Sequence, residues 1–379
     1  MSDACARGCE TLPTSKASKR PRGALGWSLL LVLILWRPEA SAGGIFLDNC
    51  LLDRLKDASG DLPVSVLRQA CEREIREANH LQRKDDGDLL NSPDESQGTE
   101  VDSHAHQDSV VRSRLQRELQ TIDNPFAITP HKPNYFLPFT YNHHPNEAPF
   151  AGREGELEPF EMKFQFSLKY PMAKGVLFKK SRLFFAYTNL SFWQAYNSRF
   201  SSPFRETNHE PEMFLLIPHN WSLLGWHHQL TAIGFSHQSN GQTGTVSRSW
   251  NRIYANLIFE RNNLVVSLKP WYRIPEKEKE DINDSSGDDN PDIEDFMGQG
   301  ELRLLYKKGE DTYSMMLRNN FATDSRGAVE ISWSFPIGKR FKNRLKGFVQ
   351  YFNGYGESLI DYNDSVNRIS VGVAISDWL

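Results

Sequence analysis

The chain has 379 residues, 39% apolar and 24% charged, with a formal net charge of −4. That length allows two or three domains, and a near-balanced charge with no basic stripe interleaved with aromatics excludes nucleic acid as a partner. A mean hydropathy of −0.55 excludes a bundle of apolar membrane helices but not a β-barrel, whose alternating strands hide their lipid face from averages.

The long apolar run near the start, Leu25 to Trp36, follows Lys16, Lys19, Arg20 and Arg22 and precedes Ala40-Ser-Ala42. Its core is too short to span a bilayer and the Ala-x-Ala step suits a peptidase, so residues 1–42 are expected to be a signal peptide. The competing reading is an uncleaved anchor, and the distance from Met1 to the apolar core leaves a later start open. Cleavage would leave Cys50 and Cys71 as the only cysteines of an exported chain. Each sits in an amphipathic stretch, with Ser59-Gly-Asp-Leu-Pro63 between them. Residues 43–81 are therefore expected to form a helical hairpin stapled by a disulfide, against the alternative of two reduced helical cysteines. Residues 82–122 are Ser-rich, charged and poor in apolar residues, and read as a flexible linker.

From residue 123 to 379 the pattern changes to short alternating runs. Phe164, Phe166, Leu168 and Tyr170 alternate with Lys163, Gln165, Ser167 and Lys169, and Val329, Ile331, Trp333 and Phe335 do the same against Glu330, Ser332 and Ser334. Candidate strands lie near 134–142, 161–170, 181–190, 212–218, 226–238, 248–259, 264–273, 298–306, 311–321, 327–335, 344–353 and 368–378. An even count, with short connections alternating with long ones, predicts an all-β fold: a 12-stranded antiparallel transmembrane β-barrel of the bacterial outer membrane. Both barrel ends then lie on the periplasmic side, and so does the N-terminal helical extension. Trp193, Trp221, Trp226, Trp250, Trp271, Tyr272 and Trp378 fall near strand ends, as an aromatic girdle would place them. A soluble sandwich or lipocalin-like barrel is the competing architecture; it would invert the two faces.

The run 226–239 carries Ile233, Phe235, His237 and Ser239 on one face, and the run 248–259 carries Asn251, Ile253, Ala255 and Leu257 on one face. Period two places all three polar residues on the apolar, lipid-directed side, and a short loop joins the runs. Antiparallel pairing brings Asn251 beside His237, so a nucleophile, a base and an orienting group fall within hydrogen-bond reach. By parity Arg252, Tyr254, Asn256, Glu301 and Arg303 point into the barrel.

Ser201-Ser-Pro-Phe-Arg-Glu-Thr-Asn208, Gly-Phe-Ser-His237-Gln-Ser239-Asn-Gly241, Ser247-Arg-Ser-Trp-Asn-Arg252, Lys269-Pro-Trp-Tyr272, Asp289-Asn-Pro-Asp-Ile293 and Gly354-Tyr-Gly-Glu-Ser-Leu-Ile-Asp-Tyr362 closely resemble the blocks of the outer-membrane phospholipase A family. The resemblance covers residues 123–379. It implies a calcium-dependent acyl-ester hydrolase, A1/A2 and lysophospholipase, acting on membrane phospholipid in the outer membrane and active as a homodimer. Ser239 would be the nucleophile, His237 the base and Asn251 the group that holds the imidazole. Ca2+ would be held by the carbonyl of Gln242 and the hydroxyl of Ser247, with the carbonyl of Ser201 from a second subunit. A second calcium position uses carboxylates in the family; Asp289 matches one, but Gly244 stands where the other is expected. Asn189 occupies a place where the family tends to carry a polar residue at the subunit contact.

Without the surrounding blocks, a His-x-Ser step in a strand is an ordinary pair of exposed polar side chains. His209, His219, His227 and His228 read as external or turn residues, and the acidic run from Glu276 to Asp295 as a solvated external loop. The runner-up function is a catalytically inactive porin-like or structural barrel.

Overall fold

The structure, a computed structural model, describes Ala70, Cys71, Arg73 and residues 109–120, 124, 126–150, 157–199, 204–281, 284, 287–338 and 345–379. Helix α1 (Val110–Leu119) is followed by β1 (Thr129–Pro130), β2 (Asn134–Asn142), β3 (Phe160–Lys174), β4 (Arg182–Trp193), β5 (Phe204–Leu223), β6 (Trp226–Ser239), β7 (Ser249–Arg261) and β8 (Leu264–Arg273). A short helix α2 (Ile293–Met297) precedes β9 (Gly300–Lys308), β10 (Asp311–Asn319), β11 (Gly327–Pro336), β12 (Lys346–Tyr355) and β13 (Ser365–Ser376). β2 to β13 pair antiparallel with their neighbours, and β2 with β13 closes the ring, so no edge is left to be satisfied in lipid. β1 adds a two-residue pairing to β3. All twelve expected strands are present.

The two rims differ as the sequence requires. Tight turns at Leu224–Gly225, Asn262–Asn263 and Gly309–Glu310 mark one rim, and the 143–159, 240–248 and 274–299 connections mark the other. Leu224 (φ 52) and Gly225 (φ 79) are both left-handed, the backbone a two-residue hairpin needs to match strand twist.

The faces sort by parity. Phe139, Ile233, Phe235, Ile253, Ile331 and Ile375 are exposed on the outer wall, where lipid is the solvent. Inside, charges are paired because a lone ion in a low-dielectric lumen is costly. Arg205 meets Glu161 at 3.0 Å and Asp361 at 2.9 Å, Lys163 meets Glu357 at 2.8 Å, Arg252 meets Glu210 at 3.0 Å and Arg303 meets Glu330 at 3.2 Å. What remains of the lumen is a cavity of about 340 Å3, lined among others by Lys132, Lys163, Glu210, Arg252, Glu301 and Arg303. Trp250 and Trp271 correct the girdle expectation: both point inward, edge to face at 6.1 Å, with the Arg252 guanidinium 4.0 Å from the Trp250 ring centre. Their inward parity decides against the interface.

α1 lies within the segment expected to be linker. Its N-cap Ser109 accepts from Arg112 N–H at 3.1 Å. Val111 and Leu115 are buried, and Leu119 packs beside them on Leu230, Val265 and Leu305, just inside the short-turn rim. Polar contacts fix it further: Val110 N–H donates to Glu260 at 2.6 Å, Arg112 Nε to Gln229 at 3.0 Å, and Glu118 pairs with Lys169 at 2.8 Å. Three apolar residues spaced by four among charges look like linker until a barrel mouth supplies the other half of the core. The signal peptide and most of residues 43–108 lie outside the described residues. Cys71 is disulfide-bonded.

These contacts separate two deletions. Removing residues 43–108 should leave the urea midpoint of the barrel unchanged. Removing 43–120 should lower the urea midpoint of the barrel, because Glu260 and Lys169 lose buried partners at about 1–3 kcal/mol each. Equal unfolding midpoints for the two truncations would show that α1 contributes nothing to the barrel.

Candidate active site

β6 and β7 form a hairpin whose register pairs His237 with Asn251 and Ser239 with Ser249. Residues directly opposite in an antiparallel ladder share a face and sit side by side. His237 Nδ1 is accordingly 2.9 Å from Asn251 Oδ1. His237, Ser239 and Asn251 are all half-buried at the long-loop rim, on the same outer wall as Ile233, Phe235 and Ile253. The Ser239 hydroxyl has no hydrogen-bond partner among the described residues; nucleophile–base contacts in substrate-free sites are long and tighten on binding.

Strand β5 adds a neighbour that reads in the sequence as an external or turn residue. His209 pairs across from Ser239 on the lipid-facing wall. Its Nδ1 is 2.6 Å from the Tyr187 hydroxyl and 3.4 Å from Asn189 Nδ2. Asn189 therefore faces outward, and its Oδ1 accepts from Ser191 at 3.0 Å. His219 and His228 stack at 4.3 Å inside the strands of the β5–β6 hairpin rather than in its turn.

The β6–β7 loop is organised by Asn240, a residue the sequence did not single out. Its buried side chain accepts from Gln242 N–H at 3.2 Å and Arg248 N–H at 3.0 Å and donates to the Val246 carbonyl at 2.8 Å. Both ends of the loop are thereby tied to one amide, with Gly241 and Gly244 left-handed (φ 66 each) to allow the bends. A short Asn beside a Gly was the available signal; it reads as a turn, and what the amide ties together depends on the fold of the loop.

The acidic segment after β8 is not solvated throughout. Asn251 Nδ2 donates to Glu276 Oε1 at 2.7 Å. The Asp289 carboxylate accepts from Ser247 at 3.0 Å and Ser249 at 2.9 Å and is paired with the Lys279 ammonium. Arg273 meets Asp288 at 2.5 Å. Tyr362 donates to Asp292 at 2.6 Å, and burial together with that carboxylate pushes its phenol up.

Ser247 and Asp289 put a hydroxyl and a carboxylate oxygen at this rim, the ligand type a hard cation takes, and the Asp289 carboxylate is here paired with the Lys279 ammonium. Gly244 brings no carboxylate, so a second calcium position as the family builds it does not fit these residues. Ser201 lies outside the described residues.

Residues 111–375 match the Phospholipase A1 family, so the match begins within α1 rather than at 123. The chain is similar to phospholipase A1 of Klebsiella pneumoniae, 38% identical over 73% of this chain and 92% of that protein. Phospholipase A1 of Escherichia coli K12 is 37% identical over 73% of this chain and 89% of its own length. Among solved structures, outer membrane phospholipase A from Escherichia coli superposes with a TM-score of 0.61 at 36% identity, over 67% of this chain and all of that one. The outer membrane phospholipase dimer of Salmonella typhi with bound calcium gives 0.60 at 38% identity, over 67% and 94% of the two chains.

Proposed function

Since the chain belongs to the phospholipase A1 family, we propose that this barrel hydrolyses phospholipid acyl esters in the outer membrane with Ser239 as nucleophile, His237 as base and Asn251 orienting the imidazole. The observation that supports it is the 2.9 Å contact between His237 Nδ1 and Asn251 Oδ1 on a wall otherwise given to lipid. An imidazole whose Nδ1–H is held by a carbonyl oxygen keeps Nε2 free to take the serine proton and return it to the leaving alcohol. The substrate lies against that wall, so acyl chains meet Ile233, Phe235 and Ile253 while the ester sits at the rim.

Calcium would be held by the Gln242 carbonyl and the Ser247 hydroxyl, with the Ser201 carbonyl from a second subunit, and would order the donors that stabilise the developing oxyanion. The filled lumen, with its paired charges and α1 in its mouth, disfavours a porin. N-terminal residues 43–81, a periplasmic hairpin, stand apart from the chemistry in this reading.

Fatty-acid release by purified, detergent-refolded protein, with calcium and then with chelator, tests the assignment. Loss on chelation and recovery on calcium addition are expected; release unaffected by chelator removes calcium from the reading, and no release in either condition favours an inactive barrel. Asn251→Ala should lose activity more mildly than His237→Ala, because it orients an imidazole that already has its neighbours, and kcat of the two variants measures the difference. Equal collapse would mean that Asn251 does more than orient.

A further inference from the structure

An asparagine makes an ambiguous partner for a catalytic imidazole. Its amide presents a carbonyl oxygen or, after a half-turn, an NH2 group of nearly the same shape. With oxygen toward His237, Nδ1 carries the proton and Nε2 is the free base; with NH2 toward it, Nδ1 becomes the acceptor and Nε2 carries the proton, which leaves the serine without a base. Something beyond Asn251 must choose.

The geometry points to Glu276 as the positioning residue that makes this choice, an inference that rests on the triad reading above. Its Oε1 is 2.7 Å from Asn251 Nδ2. An ionised carboxylate only accepts, so it fixes the NH2 on its own side and turns Oδ1 toward His237, where the 2.9 Å contact is found. The charge also lies one amide away from the imidazole, where it favours the imidazolium formed when His237 takes the serine proton. A charge-bearing partner is thus present at the site without a carboxylate on the lipid-facing wall itself.

Glu276 is held in place from both sides. Ile274 N–H donates to the Asn251 carbonyl at 2.8 Å, which fixes the chain two residues before it against the residue it serves. After it, Asp288 N–H donates to the Lys277 carbonyl at 2.7 Å, Glu278 bridges Asp288, and Lys279 pairs with Asp289. The same limb of loop that reaches Asn251 therefore reaches the carboxylate that holds Ser247.

The test is a double-mutant cycle in the calcium-loaded, full-length protein in detergent, with heat-modifiable mobility verifying each barrel. Glu276→Ala should lower kcat roughly tenfold with KM unchanged, as orienting partners one shell out commonly do. Glu276→Gln, which carries no charge and whose amide can turn either group toward Asn251, should lower kcat by about threefold, less than Glu276→Ala. In an Asn251→Ala background Glu276→Ala should cost no more than about twofold, because the link is already cut. A second readout does not need hydrolysis: nitrogen NMR of 15N-histidine protein should show the Nδ1–H tautomer of His237 in the parent and a mixture of tautomers in Glu276→Ala. Equal losses in both backgrounds, or an unchanged tautomer in Glu276→Ala, overturn the proposal. Full turnover by Ser239→Ala would overturn the triad reading instead, and the tautomer measurement would still report on Glu276.

Discussion

Ser239→Ala is expected to lose roughly 10³-fold or more of the hydrolysis while the barrel stays folded. The two halves of that expectation come from different parts of the structure. Ser239 contributes its backbone to the β6 ladder opposite Ser249 and His209, and a change of side chain leaves those pairings intact. Its hydroxyl has no partner among the described residues, so removing it strands no buried donor or acceptor. The cost then falls on the chemistry alone: with no nucleophile, water must attack without a covalent intermediate, and only binding and oxyanion stabilisation remain. Initial rates on mixed micelles, together with heat-modifiable mobility, check both halves. A folded Ser239→Ala barrel with parental turnover would sink the assignment. An unfolded one would show that the serine belongs to the wall and leave His237→Ala, whose loss should be comparable, to decide the chemistry.

How much of this is legible in the sequence follows from which forces act locally. Period two placed His237, Ser239 and Asn251 on one wall, and a short loop set their register, because both depend on strand geometry and on nothing distant. The start of β5 was not legible. Its inward residues Arg205, Glu206 and Asn208 and its outward Thr207 and His209 are all polar, so the run reads as loop. It is a strand because Arg205 finds Glu161 and Asp361 across the lumen, and Glu206 and Asn208 accept from the backbone of Ile360 and Leu359 at 3.1 and 2.9 Å. α1 was missed for the same reason, since its partners Leu230, Val265 and Leu305 come from three different strands. Glu276 and Lys279 sit in a charge-rich loop, and only the path of that loop back over β7 tells them apart from their solvated neighbours.

Hydrolysis and calcium affinity should fall together when dimers are diluted to monomers, and crosslinked dimers should keep both. The argument begins with the wall. Tyr187, Asn189 and His209 form a polar patch on the lipid-facing side of β4 and β5, hydrogen-bonded to one another but half open. Polar side chains at that depth are retained where a partner covers them, each contributing on average about 0.6 kcal/mol to association and up to about 1.7. The patch adjoins Ser239 through the β5–β6 register, so a subunit docked there lies beside the nucleophile. A subunit docked there could bring its own Ser201 toward Gln242 and Ser247, as the proposed calcium site requires. If that carbonyl completes the calcium site, each ion bridges two chains, and by linkage calcium tightens the dimer as much as the dimer tightens calcium. Asn189→Ala should then weaken dimerisation by about threefold to twentyfold and shift the calcium midpoint of activity in the same direction, with kcat at saturating calcium and protein unchanged. Sedimentation in detergent across a calcium series, paired with initial rates, reads both quantities. Monomers with full calcium affinity and full turnover would place Ser201 outside the site, and the site would then be complete within one chain.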